Sequence, residues 1–238
     1  MFAALTAQNP RGVRSVHPVP CDFIADQLDA VFEMYNIKAL TTGMLATAET
    51  VETVAAQLRK YPRVKKVIDP VMVATSGARL LADDAVEAMQ KLLLPQATLI
   101  TPNLPEAETL LGVSITNETQ MREAAKALSK KFGVAVLLKG GHALHSALRT
   151  PHSALDVLFD GRRFYTFSLP VIAHPVSTHG TGCTLAAALA AELALGASLP
   201  KAVAGAKKVV YESIKLSYYI GRNCGVLGMP WANEQKGD

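Results

Sequence analysis

The sequence predicts an α/β protein: a mostly parallel sheet with helices on both faces and an antiparallel hairpin at its edge. Three observations predict it. Apolar residues recur at helical spacing in segments that alternate with short apolar runs. Those runs end in polar or Gly/Pro residues, as strands do at their ends. Finally, the turn pair Asp160-Gly161 separates two late strand-like runs, which is the signature of a hairpin.

Met1 to Ala7 reads as a buried strand that opens the chain. Ile24, Leu28, Val31 and Phe32 then mark a helix, followed by a strand over Lys38 to Met44. Val51, Val54, Ala55 and Leu58 give the next helix and Lys65 to Pro70 the next strand. Ala85, Met89, Leu92 and Leu93 repeat the helical spacing, and Ala97 to Thr101 the strand. Met121, Ala124, Ala125 and Leu128 precede a strand over Val134 to Lys139. Strands alternating with helices imply parallel pairing with crossovers on both faces. Ala154 to Asp160 and Arg163 to Ser168 form the edge hairpin. A helix containing Cys183, a second helix from Leu199 to about Tyr218 and a Gly-rich tail complete the chain. No repeat, linker or low-complexity segment divides it, so residues 1–238 read as one domain.

Composition supports a packed core, with 50% hydrophobic and 18% charged residues in 238. The net charge of +4 is carried as scattered pairs, among them Lys65-Lys66 and Lys207-Lys208, which read as solvated helix ends and strand edges. No basic stripe with interleaved aromatics suggests nucleic acid, and an anionic small molecule suits the mild basicity. Three widely spaced cysteines form no Cys-x-x-Cys metal site or disulfide framework, which points to the reducing cytoplasm. The apolar stretch Cys183 to Leu199 is rich in alanine and interrupted by Glu192, so it reads as a core helix rather than a membrane span.

Four strand ends carry polar residues that packing does not require. They are VIDPVMVATSG with Asp69, LITPNLPEAETLLG with Asn103 and Glu106, VLLKGGH with Lys139, and HPVSTHGTGCTLAAALAAELALG with Cys183. Each residue has a plain structural explanation by itself: a turn, a helix cap, a surface lysine, a small buried thiol. Together, at the end of a parallel sheet where ligands bind, they supply something more specific. Asp69 and Glu106 offer carboxylates to a hydrated Mg2+, Lys139 a cation for phosphates, and the glycine-rich helix start an anion cradle. That set suits phosphoryl transfer, in which positioning and charge neutralisation dominate. Neither a GxxxxGK[ST] loop nor a GxGxxG motif is present.

In order along the chain, LTAQN, GML, DPVM, TPNLPEAETLLG, LLKGGH and THGTGCTLAAALAAELALG resemble the hydroxymethylpyrimidine and phosphomethylpyrimidine kinases of thiamine biosynthesis. These enzymes belong to the ribokinase-like superfamily, and the match extends to the C-terminal tail. The resemblance implies a ribokinase-like three-layer sandwich and ATP with Mg2+ as cofactors. It implies that Gln8 hydrogen-bonds the aminopyrimidine ring and that Met44 and Val71 wall the substrate pocket. Asn103 and Glu106 would arrange the metal, with Asp69, Asn103 and Lys139 on the nucleotide side. Gly180, Thr181 and Gly182 would form the anion hole, and Cys183, acidified by the helix terminus, would take the substrate proton.

Family members open with a strand, a GTDPSGGAGIQADLK-type segment and a helix before LTAQN. The chain therefore reads as N-terminally truncated relative to the family, through an incomplete reading of the gene or as a compromised kinase. Two alternatives accompany the main reading: a pyridoxal or pyridoxine kinase of the same fold, and a catalytically impaired pyrimidine- or nucleotide-binding protein. A homodimer is compatible with all three.

Overall fold

The computed structural model describes residues 1–9, 12–72, 82–141, 153–221 and 224–230. The chain opens with an antiparallel hairpin, β1 (Ala4–Asn9) and β2 (Gly12–Pro18), that forms a two-stranded sheet of its own. Met1 to Ala7 is thus not the buried strand its sequence suggests. With β2 as its strand neighbour among the described residues, β1 leaves Leu5 half exposed at 52%. The base of the hairpin is tied down by Phe2, whose N–H and carbonyl both pair with the Gln27 amide at 2.9 and 3.1 Å.

Helix α1 (Cys21–Met34) follows Pro20 and leads to β3 (Ala39–Thr42). Helix α2 (Ala48–Arg59) is capped by Thr47, whose hydroxyl accepts the Thr50 N–H at 3.2 Å. Strand β4 (Lys65–Ile68) comes next. The helical spacing predicted around Ala85 to Leu93 is only partly an α-helix. Helix α3 (Asp83–Ala88) widens into a π turn over Met89–Leu93 and tightens into a 3-10 turn over Leu94–Gln96, where Pro95 cannot donate an α-helical hydrogen bond. Strand β5 (Leu99–Ile100), helix α4 (Leu104–Leu111) and helix α5 (Glu118–Phe132) lead to β6 (Ala135–Lys139). The edge hairpin is β7 (Ser153–Phe159) and β8 (Phe164–Pro170), close to its predicted bounds. Helices α6 (Thr181–Ala194) and α7 (Leu199–Lys215) follow. The predicted Gly-rich tail is in part a second small antiparallel sheet, β9 (Tyr218–Gly221) with β10 (Cys224–Val226).

The central sheet runs β3-β4-β5-β6-β7-β8, parallel through β6 and antiparallel at β7 and β8. Alternation along its strands feeds two cores. Ile68, Ile100, Val136, Leu138 and Val157 face α1 to α5, while Val67, Leu99, Leu137 and Leu158 face α6 and α7. The result is a helix–sheet–helix sandwich, each fully buried aliphatic side chain contributing about 1.5–3 kcal/mol.

Two of the lysines read as solvated are interior. Lys66 is 3% exposed, its ammonium donating to the Tyr61 and Val64 carbonyls at 2.7 and 3.2 Å, and burial lowers its pKa. Lys207 is 9% exposed and ion-paired with Asp156. In each pair one lysine faces inward, Lys66 on its strand and Lys207 on its helix.

Candidate active site

The site grows out of the carboxyl ends of three neighbouring parallel strands, β4, β5 and β6. Beyond β4 and β5 the ladder continues: Asp69 N–H reaches the Thr42 carbonyl and Thr101 N–H the Ile68 carbonyl, at 3.3 and 3.1 Å, and at the end of β6 the Lys139 N–H reaches the Pro102 carbonyl at 2.9 Å. That register sets Asp69 beside Thr101 and places Lys139 two residues further along β6, opposite Asn103, from where its side chain reaches back to Asp69. Asp69 is 6% exposed, and its Oδ1 accepts from Thr101 Oγ1 at 3.0 Å and from Lys139 Nζ at 2.9 Å. Lys139 is therefore no loose surface cation; it is held in place by a carboxylate on the adjoining strand system.

Asn103 pairs with Lys139 as an isolated parallel bridge and starts α4 with a reciprocal cap. Its Oδ1 accepts the Glu106 N–H, and Glu106 Oε2 accepts the Asn103 N–H, both at 2.8 Å. This places the Glu106 carboxyl, 4% exposed, beside the Asp69–Lys139 pair. Burial pushes its pKa up and the Asp69 charge adds to that, while Lys139 and the backbone N–H groups of Asn103 and Met72 pull it down; the balance is a rise from 4.5 to about 7. Burial alone would depress the Lys139 ammonium, but the Asp69 and Glu106 carboxylates outweigh it and hold its pKa above the usual lysine value.

Helix α6 starts against the same cluster. Its N-cap is Gly180 at φ +89°, a backbone conformation that a side chain would strain, and no side chain among the described residues caps the helix. The first-turn N–H groups consequently face the site without a capping oxygen. A Cβ added at Gly182 would lie 3.8 Å from Asp69 Oδ2, so the second carboxylate oxygen of Asp69 is directed at the helix start. Cys183, one residue on, is an exposed free thiol rather than a buried hydrophobe. Thr181 turns its hydroxyl back to the Thr178 carbonyl at 3.1 Å. The loop before the helix is pinned from both sides: the Ser177 hydroxyl accepts the His179 N–H at 3.1 Å, and Ser177 N–H reaches Ser217 Oγ at 3.4 Å.

Asp69, Asn103, Glu106, Lys139, Gly180, Thr181, Gly182 and Cys183 thus gather at the carboxyl end of the sheet. Gln8 does not join them; it is exposed near the end of β1 and shares no hydrogen bond with these residues. Met44 follows β3 and is half-buried, and Val71, also half-buried, donates its N–H to the Asp69 carbonyl at 2.9 Å. His142 and residues 73–77 of the Asp69 motif lie outside the described residues.

Sequence reasoning missed three members of this region. Thr101 follows β5 as Asp69 follows β4, a signal available in the sequence. Asp156 stands within the apolar strand SALDVLF, and Lys207 within the apolar helix face of α7. Asp156 Oδ1 accepts the Gly140 N–H at 3.0 Å while Oδ2 pairs with Lys207 Nζ.

The donor set fits Mg2+. Two buried carboxylates, one raising the pKa of the other, create a place where a divalent cation relieves repulsion, and Mg2+ takes few carboxylates with its remaining positions filled by water and phosphate oxygens.

The model of the family described as phosphomethylpyrimidine kinase matches residues 1–228. Over 224 residues the chain is 44% identical to the hydroxymethylpyrimidine/phosphomethylpyrimidine kinase of Haemophilus influenzae, covering 94% of this chain and 82% of that one. It is 47% identical over 225 residues to a bifunctional thiamine biosynthesis protein of Geobacter sulfurreducens, covering 94% of this chain but only 44% of that longer protein. The structure of pyridoxal kinase from Staphylococcus aureus with AMP-PCP and pyridoxal superposes with a TM-score of 0.81 at 32% identity, covering 97% of this chain and 80% of the other. With its strand-end cluster, its uncapped glycine-rich helix start and a ribokinase-like sandwich beneath them, the chain belongs to the phosphomethylpyrimidine kinase family.

Proposed function

We propose that residues 1–238 act as one kinase domain that phosphorylates 4-amino-5-hydroxymethyl-2-methylpyrimidine and then its monophosphate, with ATP as donor. The observation that carries this reading is the convergence of Asp69, Glu106 and Lys139 on the open N-terminus of α6, beside an exposed Cys183. An anion cradle with an adjacent thiol is more than a binding site needs, and it suits phosphoryl transfer to an alcohol, which needs charge stabilisation and a proton acceptor.

In the first reaction Cys183 Sγ accepts the proton of the substrate hydroxymethyl group as the hydroxymethyl oxygen attacks the γ-phosphorus. The first-turn N–H groups at Thr181, Gly182 and Cys183 meet the equatorial oxygens, whose charge is spread in the transition state. Lys139, oriented by Asp69, neutralises phosphate charge. Glu106 and Asp69 would hold Mg2+, which when bound shields the phosphates from one another. In the second reaction the nucleophile is a phosphate oxygen that is already largely ionised at neutral pH. It needs the cradle but no base.

Gln8, Met44 and Val71 would recognise the pyrimidine; a primary amide offers the ring both a donor and an acceptor. The reading places the protein in the cytoplasm, where ATP is available; among the described residues no helix is long and apolar enough to cross a membrane. Light scattering on the purified chain distinguishes a monomer from a homodimer.

The likeness to a pyridoxal kinase with bound pyridoxal supports a second reading, in which the alcohol is a pyridine. Side-by-side kcat/KM for the aminopyrimidine alcohol and pyridoxal with MgATP decides between them. Mono- and diphosphate formation from the pyrimidine is the expected result. A preference for pyridoxal would replace the proposed substrate, and nucleotide binding without turnover of either alcohol would leave an impaired binding protein.

A further inference from the structure

We propose that Asp156 is a positioning residue for nucleotide binding, fixing the Lys139-Gly140-Gly141 turn through the Gly140 N–H while Lys207 balances its charge from helix α7. The inference rests on the phosphoryl-transfer reading above and concerns residues which that reading leaves unused.

Asp156 lies directly across the antiparallel ladder from Lys139. Asp156 is buried and its two carboxylate oxygens have separate tasks, Oδ1 accepting the Gly140 N–H at 3.0 Å and Oδ2 meeting Lys207 Nζ. The Gly140 N–H already has a backbone acceptor, the Leu155 carbonyl at 3.0 Å. A second, charged acceptor is therefore not needed to satisfy that group; it adds direction. The strand end also lies as close to β7 as backbone permits, since a Cβ at Gly140 would overlap the Leu155 carbonyl oxygen.

Stability does not explain the pair. Removing two charges from water is costly, and an apolar pair of similar volume serves a core equally well or better. An apolar pair could not orient Gly140. Lys207 has a second effect: the Asp156 charge reaches Lys139, yet the Lys139 ammonium is directed to Asp69. With Asp156 matched by Lys207, Lys139 stays on the Asp69 side, available to an incoming phosphate.

Calorimetric titration with MgADP, and separately with the aminopyrimidine alcohol, tests this in two double variants. Asp156→Leu/Lys207→Met removes both charge and acceptor, whereas Asp156→Asn/Lys207→Met removes charge and keeps an acceptor for Gly140. The Leu variant should lose about tenfold in MgADP affinity, equivalent to about 1.4 kcal/mol, with the alcohol affinity unchanged. The Asn variant should recover most of that loss. Equal MgADP affinity in wild type and the Leu variant overturns the proposal, as does a parallel loss for both ligands, which would indicate general loosening. If the Leu variant does not fold, Lys207→Met alone is read: Asp156, freed to compete for Lys139, should lower MgADP affinity selectively, and unchanged affinity overturns the proposal. A wild type that binds no MgADP removes the phosphoryl-transfer reading and this role with it.

Discussion

Replacing Glu106 by Gln should make the apo protein more stable, and the gain should depend on pH in a defined way. The Glu106 carboxyl is 4% exposed and its pKa is raised from 4.5 to about 7, first by burial and then by Asp69, against the pull of Lys139. A raised carboxyl pKa means that the folded protein holds a proton the unfolded chain releases. Between about pH 4.5 and 7 the folded state binds more protons, so the wild type loses stability as pH rises. Above pH 7 the full penalty is present. At about 1.4 kcal/mol per pH unit, the gap amounts to roughly 3 kcal/mol.

Glutamine keeps an acceptor for the Asn103 N–H and cannot ionise. Urea unfolding of wild type and Glu106→Gln at matched pH cancels the other titrating groups. The variant should equal the wild type near pH 4.5 and exceed it by about 2–3 kcal/mol at pH 8. A difference that is constant with pH, or a wild type that gains on the variant as pH rises, would refute the reasoning. Mg2+ with ADP should narrow the gap at pH 8 by stabilising the wild type alone, and the variant should lose turnover despite its higher stability.

Three further outcomes follow from the same geometry. Cys183→Ala should keep the melting temperature and pyrimidine affinity and slow the first phosphorylation by about 10²–10⁴-fold. It should slow the second far less, because that nucleophile needs no base, and Cys183→Asp should retain some first-step activity; comparing product formation from the alcohol and from its monophosphate checks this. Lys139→Met leaves the buried Asp69 carboxylate without its cation and should destabilise the protein by about 3–5 kcal/mol. Asp69→Asn/Lys139→Met should recover most of that stability in urea melts without recovering kcat. Gly140→Ala should cost about 1–3 kcal/mol or more, because the added methyl meets the rigid Leu155 backbone carbonyl rather than a side chain able to move.

The strand and helix order was legible in the sequence because apolar periodicity and turn residues act locally. The polar Asn117 ahead of the apolar repeat of α5 is its N-cap, accepting the Gln120 N–H at 2.9 Å. Asp160-Gly161 marks the β7–β8 turn, and GTGC marks the start of α6. The first three motif-bearing strand ends could be placed at one end of the sheet because parallel strands joined by crossovers present their carboxyl ends on one side; the fourth follows β8, which the two antiparallel pairings at β7 return to the direction of β6.

What the sequence could not supply was partnership across long separations. Whether Met1 to Ala7 is buried depends on what lies beside it, and tertiary structure gives β1 the exposed β2 as its strand neighbour. Lys66, Lys207 and Asp156 look like surface charges until the packing surrounds them, and only then does the composition of their immediate neighbours, carbonyls in one case and an opposite charge in the others, show how each is accommodated. The same holds for function. Residue types at strand ends determine which chemistry is available, but that Lys139 is aimed by Asp69, that Glu106 has a pKa near 7, and that Asp69 faces Gly182 are consequences of distance and burial. Local patterning fixes which residues arrive at the sheet end; the low-dielectric packing around them decides their charge and direction.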